Sequence, residues 1–419
     1  MGAEGVKWVT NNSSPTLTRY HGAAGSNTLY SPASQAVATT YFNSLSPWGL
    51  MGRMSLRPDG SVASRCNVNT TPLQTFGDAC YSDTDQTGGE QKMVYVAPFC
   101  WACDALTANQ VWYWVGQIGD TFRKSDNSGD YTFSSADMHP MFIRNSVTKN
   151  AVYLSAFEGY VESSTTPYKM QSVAGVQPST EYNTDLAPIT THGSLPAFRT
   201  WATNVGSGWG QHSFQTQRGI TLLMLIEYAS FNFFSVLSSG INAQNVGTNN
   251  ASANTGHTTS LGNASGQVQF NMEQQGSSAY AMSYRGIENF YGNVCKWLEG
   301  VQIKGNYGVW IADNGFSTST DNTFAAPYVN TSLSILSSGY PMALSTGTYG
   351  WAFIPLTTGG GSTTYLCWSG YTTATGNCVG YTTGQWSSGA GAGPIALNFD
   401  YNTGSYDKRR GARLEYIPP

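Results

Sequence analysis

Charge is what this 419-residue sequence has least of: Asp, Glu, Lys and Arg together make up 11%, against about 25% in an average soluble protein. Its 20 basic and 24 acidic residues leave a formal net charge of −4, and the one compact basic run is Lys408-Arg409-Arg410. A nucleic-acid binder needs clustered Lys and Arg to displace counterions, so nucleic acid is excluded as an expected partner. Long apolar runs are lacking too. The longest, Ile220 to Leu237, is broken by Glu227, Asn232 and Ser235. A membrane span needs about 20 predominantly apolar residues, so this stretch predicts a buried helix and no membrane insertion. The N-terminus, MGAEGVKWVT, shows no basic start followed by an apolar stretch, and predicts no secretory signal.

Paired cysteine is scarce as well. Seven cysteines, an odd number spread thinly, build no dense disulfide framework. Cys100-Trp101-Ala102-Cys103 has CxxC spacing, but it sits in the apolar run MVYVAPFCWAC with no second CxxC or paired His. It reads as structural thiols in preference to a zinc or redox pair. A local bridge between Cys367 and Cys378 stays open. In place of charge stand 47 glycines, many Ser, Thr and Asn, and 13% aromatics. Such a surface is neutral and rich in hydroxyls and amides, and suits contact with sugars or proteins.

The length permits one large domain or two ordinary ones. Strand-like segments dominate: Lys92–Pro98, Val111–Val115, Met141–Arg144, Ala151–Phe157 and Val309–Ala312. Between them lie stretches that read as long loops, Asn242–Gly266, Gly315–Thr331 and Thr357–Thr364. Loops longer than about 12–15 residues are uncommon and usually functional or disordered. Helix is expected over Gly219–Ser238, stopped by Ser238-Ser239-Gly240. Over Gly286–Gly300 helical and strand periodicities cannot be separated. The expected class is α+β, with few helices, short strands and long irregular loops. No repeat of fixed period and no Pro-rich or charged linker marks a boundary.

The run Tyr284-Arg285-Gly286-Ile287-Glu288-Asn289-Phe290-Tyr291-Gly292-Asn293-Val294-Cys295-Lys296-Trp297 resembles the GNVWEW hallmark of the formylglycine-generating-enzyme type of C-type lectin fold. Gly384-Gln385-Trp386 resembles that family's glycine–glycine–serine–tryptophan segment, and Gly411-Ala412-Arg413-Leu414 its closing glycine–phenylalanine–arginine strand. Gly208-Trp209 followed by LLMLIEYASFN is similar to its long helix. A narrower resemblance, from SPWGLMGRMSLRPDGSV to the C-terminus, is to phage and prophage proteins of this fold. Some of those are ligand-binding proteins diversified by retroelements, phage tropism determinants among them. The resemblance implies a C-type lectin-like ligand-binding domain over 91–419, with long loop insertions. It also implies an N-terminal β-rich region over 1–90 for attachment or oligomerisation. The motif residues read as scaffold. Asn293 suits a turn that needs a buried amide. Trp297 and Trp386 would bury large apolar area, and Arg413 is expected to pair with a buried carboxylate, Glu227 or Glu288.

Catalysis finds no support in the residues. The enzyme branch of the family uses paired active-site cysteines with copper. Here Cys295 and Lys296 stand where its motif has Trp and Glu, and the surroundings of Cys367 and Cys378 do not match. Another branch holds iron on histidines, but His21, His139, His192, His212 and His257 form no HxxxH or HxH. Asp83-Thr84-Asp85 through Glu90 resembles half a calcium loop without the regular twelve-residue pattern, and reads better as an Asx-rich turn. No GxSxG and no phosphate-binding glycine loop occurs. No catalytic residue, metal or cofactor is assigned.

In the diversified relatives the variable positions lie between the tryptophan segment and the closing strand, which here is Ser387 to Asp407. Its second half mixes Tyr, Asn, Asp, Ser and Gly, rigid aromatic area beside adaptable hydrogen bonding, as binding loops do. The expected ligand contacts are Tyr381, Ser387, Ser388, Asn398, Phe399, Asp400, Tyr401, Asn402, Ser405, Tyr406 and Asp407, with Trp368 and Tyr371 as extensions. The competing reading is an ordinary hydrophilic turn region, since Tyr, Asn and Gly are common along the whole chain. The resemblance thus implies a non-enzymatic receptor-binding protein of a virion, at a tail fibre or tail tip. It would be made in the bacterial cytoplasm and recognise a bacterial surface protein or glycan. Other virion proteins are expected partners, and a homotrimer is the expected assembly. A structural or decoration protein of the particle and a metal-dependent oxidase are the alternatives.

Overall fold

The computed structural model describes residues 2–10, 17–65, 89–162, 166–180, 193–242, 252–272, 277–305, 307–335, 339–358, 377–382 and 384–419. The calcium-loop candidate up to Gly88, most of the 357–364 loop, Cys367, Trp368 and Tyr371 lie outside them. The α-helices are α1 (Gln35–Phe42), α2 (Leu195–Thr203), α3 (Phe214–Tyr228) and the one-turn α4 (Phe233–Val236), set among many short strands. The class is α+β.

Every residue of α3 is buried. The apolar run placed this helix correctly but not its ends. It begins at Ser213, whose hydroxyl accepts from the Thr216 amide, so a polar first turn precedes the apolar part. That turn is buried because its side chains satisfy distant carbonyls. Gln215 donates to Ala312 O at 2.6 Å, Gln217 to Pro394 O at 3.2 Å and Arg218 to Ile395 O at 2.9 Å. The helix ends at Ala229, left-handed at φ 47°, well before the expected Ser-Ser-Gly stop, which follows α4. Ile220, Leu222, Leu223, Leu225 and Ile226 are fully buried in the main core, each worth about 1.5–3 kcal/mol over leaving it exposed.

Three large sheets surround this helix. A five-stranded antiparallel sheet runs Thr28–Leu29, Leu17–His21, Glu4–Val9, Gln110–Gly116, Cys100–Asp104. A six-stranded antiparallel sheet runs Trp209–Gln211, Leu414–Tyr416, Val152–Ser155, Gln91–Val96, Gly52–Leu56, Val62–Arg65. The first 90 residues therefore share ladders with strands from beyond residue 90. A third sheet runs Val329–Ser334, Gly308–Ile311, Cys295–Ile303, Cys378–Thr382, Leu397–Tyr401, and the short strand Arg410–Gly411 pairs parallel with Cys295-Lys296. The ambiguous stretch Gly286–Gly300 is thus turn and strand, buried on both faces. Met141–Arg144 is mainly a 3-10 turn, Pro140–Phe142, with a two-residue strand after it. The described part of the 242–266 loop is packed inward: Thr255 donates to Val173 O at 2.7 Å, and Glu288 accepts the Gly256 and Thr258 amides.

Few charges do not mean a core free of them. Arg285 forks onto Glu227 at 2.8 and 2.7 Å with both side chains buried. Arg199 forks onto Glu299 and onto Asp321. Arg413 departs from the carboxylate pairing expected of it: it donates to Ser155 O at 3.0 Å, Asn289 O at 2.8 Å and Glu288 O. Glu227 is taken by Arg285, and Glu288 by backbone amides, so the closing-strand arginine ties backbone segments together. Asn293 does act as a turn amide, exchanging hydrogen bonds with both backbone groups of Ala253 and donating to Glu158. Trp297 is fully buried and donates to Gly193 O at 3.1 Å. At Gly292, φ is +86° and a Cβ would lie 2.8 Å from the Ile241 amide nitrogen, so only glycine fits.

Candidate functional site

The strand Leu397–Tyr401 presents its two faces to different surroundings, as strand alternation requires. Leu397 and Phe399 point into an apolar cluster with Val301, Ile303 and Trp351. Asn398 and Asp400 point to the opposite face, over Tyr381 of the neighbouring strand. Phe399 is therefore core, fully buried, and not a ligand contact. The strand is aimed from behind, because Pro394 and Ile395 just ahead of it receive the hydrogen bonds of Gln217 and Arg218 on α3.

On the Asn398 face lies a half-open cavity of about 440 Å³, within the size range of small-molecule sites. Tyr381, Ser388, Asn398, Asp400 and Tyr401 line it, as the sequence led us to expect, together with Cys295, Tyr340, Gln385, Arg409 and Arg410, which it did not. Ser387 is exposed ahead of this strand; on the chain between Leu397–Tyr401 and Arg410, Asn402 and Tyr406 are exposed and Ser405 and Asp407 half-buried. Asn402 accepts from Gly404 N at 3.1 Å and from Ser405 Oγ at 3.0 Å, which closes this segment into an Asx turn.

Arg410 organises the site. Its parallel pairing opposite Cys295 brings the guanidinium over three rings, with centroids at 3.4 Å for Tyr401, 5.2 Å for Tyr381 and 5.3 Å for Trp297. Cation–π attraction of this kind is strongest where water is excluded, and Arg410 is 2% exposed. Its nearest carboxylate, Asp407, stands 3.8 Å away and is engaged by Arg409 at 2.8 and 2.7 Å. Burial acts to raise the Asp407 pKa, but the Arg409 hydrogen bonds and both arginine charges outweigh it and hold the carboxyl below its ordinary range. Tyr381 donates to Asp400 at 3.1 Å, and burial followed by the Asp400 charge raises its pKa, so it stays a neutral donor.

Burial pushes the Cys295 thiol up to about 11, against the lowering pull of Arg410 and Lys296, so it remains protonated. Cys100 and Cys103 are free thiols, pushed by burial up to about 11 and about 12. Three residues apart on one strand, they face opposite sides of the sheet. Among the described residues no three His, Cys, Asp or Glu side chains converge where a metal ion could sit. His139 and His212 are fully buried.

The sequence did carry a signal for the missed residues. The basic run Lys408-Arg409-Arg410 follows directly on a stretch that holds Tyr401 and Tyr406, a cation-beside-aromatic pattern separate from any nucleic-acid contact. Cys295 was visible as a departure from the motif that it occupies.

No protein-family profile and no curated protein sequence matches the chain. Among solved structures it is similar to one titled Major Tropism Determinant U1 Variant, at 11% identity and a TM-score of 0.31, over 98% of this chain and 85% of that one. The P3c Variant aligns at 10% identity with a TM-score of 0.30, over the same shares of the two chains. Superpositions this loose carry no weight for fold type or chemistry.

Proposed function

We propose that this chain is a non-enzymatic receptor-binding protein of a bacterial virus, which recognises the host surface through the cavity and the exposed turn at its C-terminal end. The observation that carries the reading is the cavity itself: a concave, tyrosine-lined site beside a buried cation, to which the segment that the motif resemblance marks as the ligand-binding region contributes Ser388, Asn398, Asp400 and Tyr401. The resemblance supplies the lectin-like fold type and the virion setting, and the expected homotrimer follows by analogy with tail fibres. Attachment through the first 90 residues belongs to the same reading. It would use outward faces of strands that also complete the core, near the exposed Leu29. Reversible binding by several copies would raise weak single-site contacts to useful avidity.

Purified protein would be tested for binding to a panel of bacterial strains beside a folded Tyr401→Ala/Tyr406→Ala variant. Loss of binding in the variant is the expected result. Equal binding by both proteins moves the site elsewhere, and binding of neither to any strain removes the recognition reading.

A further inference from the structure

The cavity's unpaired atoms say what kind of ligand it takes, an inference that rests on the recognition reading above. Two residues that line it each hold a buried polar atom with no hydrogen-bond partner among the described residues: Arg410 Nη1, a donor, and Asn398 Oδ1, an acceptor. The amide orientation of Asn398 is fixed by its neighbours, since Asp400 only accepts. Asn398 Nδ2 meets Asp400 Oδ2 at 3.0 Å and Tyr381 Oη at 2.9 Å, and Tyr381 has already given its proton to Asp400. Oδ1 is therefore left facing away from them as an acceptor. Leaving such groups buried and unpaired is costly, and a ligand that satisfies both relieves the cost.

The charged residues that line the cavity are Arg409, Arg410 and Asp400. Arg409 is forked onto Asp407, which is not part of the lining, so Arg410 and Asp400 are the opposed charges left to a ligand. A carboxylate or phosphate ligand would gain from Arg410 but meet Asp400, and a cationic ligand would meet Arg410. Hydroxyl groups, which donate and accept at once, fit both orphan atoms without adding charge. The tyrosine walls offer apolar ring surface beside them. Cys295 adds the space. Where the resembling motif carries tryptophan this chain has a small thiol on the cavity wall, and an indole there would project into the volume. We infer that the cavity binds a neutral, ring-sized polyhydroxy unit, a hexose-type sugar of a surface glycan, whose hydroxyls bridge Arg410 Nη1 and Asn398 Oδ1.

The full chain would be titrated with free neutral hexoses and the matching uronates by saturation-transfer NMR, and the same sugars used as competitors of cell binding. Neutral sugars should bind and compete, with uronates weaker. Asn398→Leu should weaken sugar binding about tenfold by removing the orphan acceptor. Cys295→Trp should abolish it by filling the cavity, each variant being checked for folding by its thermal transition. The inference fails if uronates bind better, or if both folded variants bind sugar as the parent does. It also fails if cells are bound but neither sugar class binds and protease treatment of the cells abolishes binding, which leaves recognition intact with a protein as receptor. Absence of both cell and sugar binding overturns the recognition reading along with it.

Discussion

Single side chains in this protein are held by what surrounds them more than by their own chemistry, and His139 shows the consequence for acid stability. Its Nδ1 accepts the Met141 amide at 3.1 Å at the start of a 3-10 turn, Nε2 has no hydrogen-bond partner among the described residues, and the ring lies against Phe99. Burial first, and then the charge of Arg144, lowers its pKa from 6.5 to about 3. The unfolded chain would take up a proton below 6.5 that the folded chain refuses until about 3. Stability from this group is thus complete above 6.5 and is lost as pH falls toward 3, at about 1.4 kcal/mol per pH unit. His139→Asn keeps an acceptor for Met141 and removes the titration. Urea unfolding at several pH values should show that variant losing less stability than the parent between 6 and 4, whatever its stability at neutral pH. Parallel pH profiles would show that His139 is not refusing the proton. His212, buried beside Arg413 and Lys296, is shifted in the same direction.

Among the elements, those that announce themselves in sequence are those whose neighbours are alike on all sides. The buried α3 was legible because an apolar run needs no partner to be recognised, yet its polar first turn was not, since Gln215, Gln217 and Arg218 are buried only through carbonyls far away in sequence. Helix α1 exposes most of its surface and buries only Ala38 and Phe42, so no stripe betrays it. Helix α2 does carry a stripe, Leu195, Phe198, Trp201 and Ala202, but over nine residues with a proline in the first turn. At the site, position along the chain identified Tyr381, Asn398, Asp400 and Tyr401, but it also put Phe399 on the ligand face, which strand alternation turns inward with Leu397. Arg410 stood out in sequence only as part of a basic run; its place over the tyrosines depends on a parallel pairing with Cys295 that no local pattern encodes. The motif turn that precedes Cys295 makes its own prediction. Gly292→Ala forces a left-handed alanine against Ile241, and the two effects together should cost about 2–4 kcal/mol in denaturant unfolding. A loss under about 0.5 kcal/mol would mean that the turn relaxes freely.

For the molecule as a whole, the charges are few, and more than a third of them lie inside. At least eight of the 20 basic and eight of the 24 acidic residues are buried. Surface fields are correspondingly weak, and recognition is expected to change little between about 50 and 200 mM salt, where an electrostatically driven complex weakens by orders of magnitude. Cell binding measured across that range tests this, and a steep fall would place the recognition surface on charged groups outside the cavity. The same interior placement of charge governs timing. A surface that does not steer its partner meets it at about 10⁵–10⁶ M⁻¹ s⁻¹, with little room for tuning. Discrimination between surfaces then resides in how long each contact lasts. A particle carrying several such chains would sample many positions briefly and dwell only where several cavities are filled together.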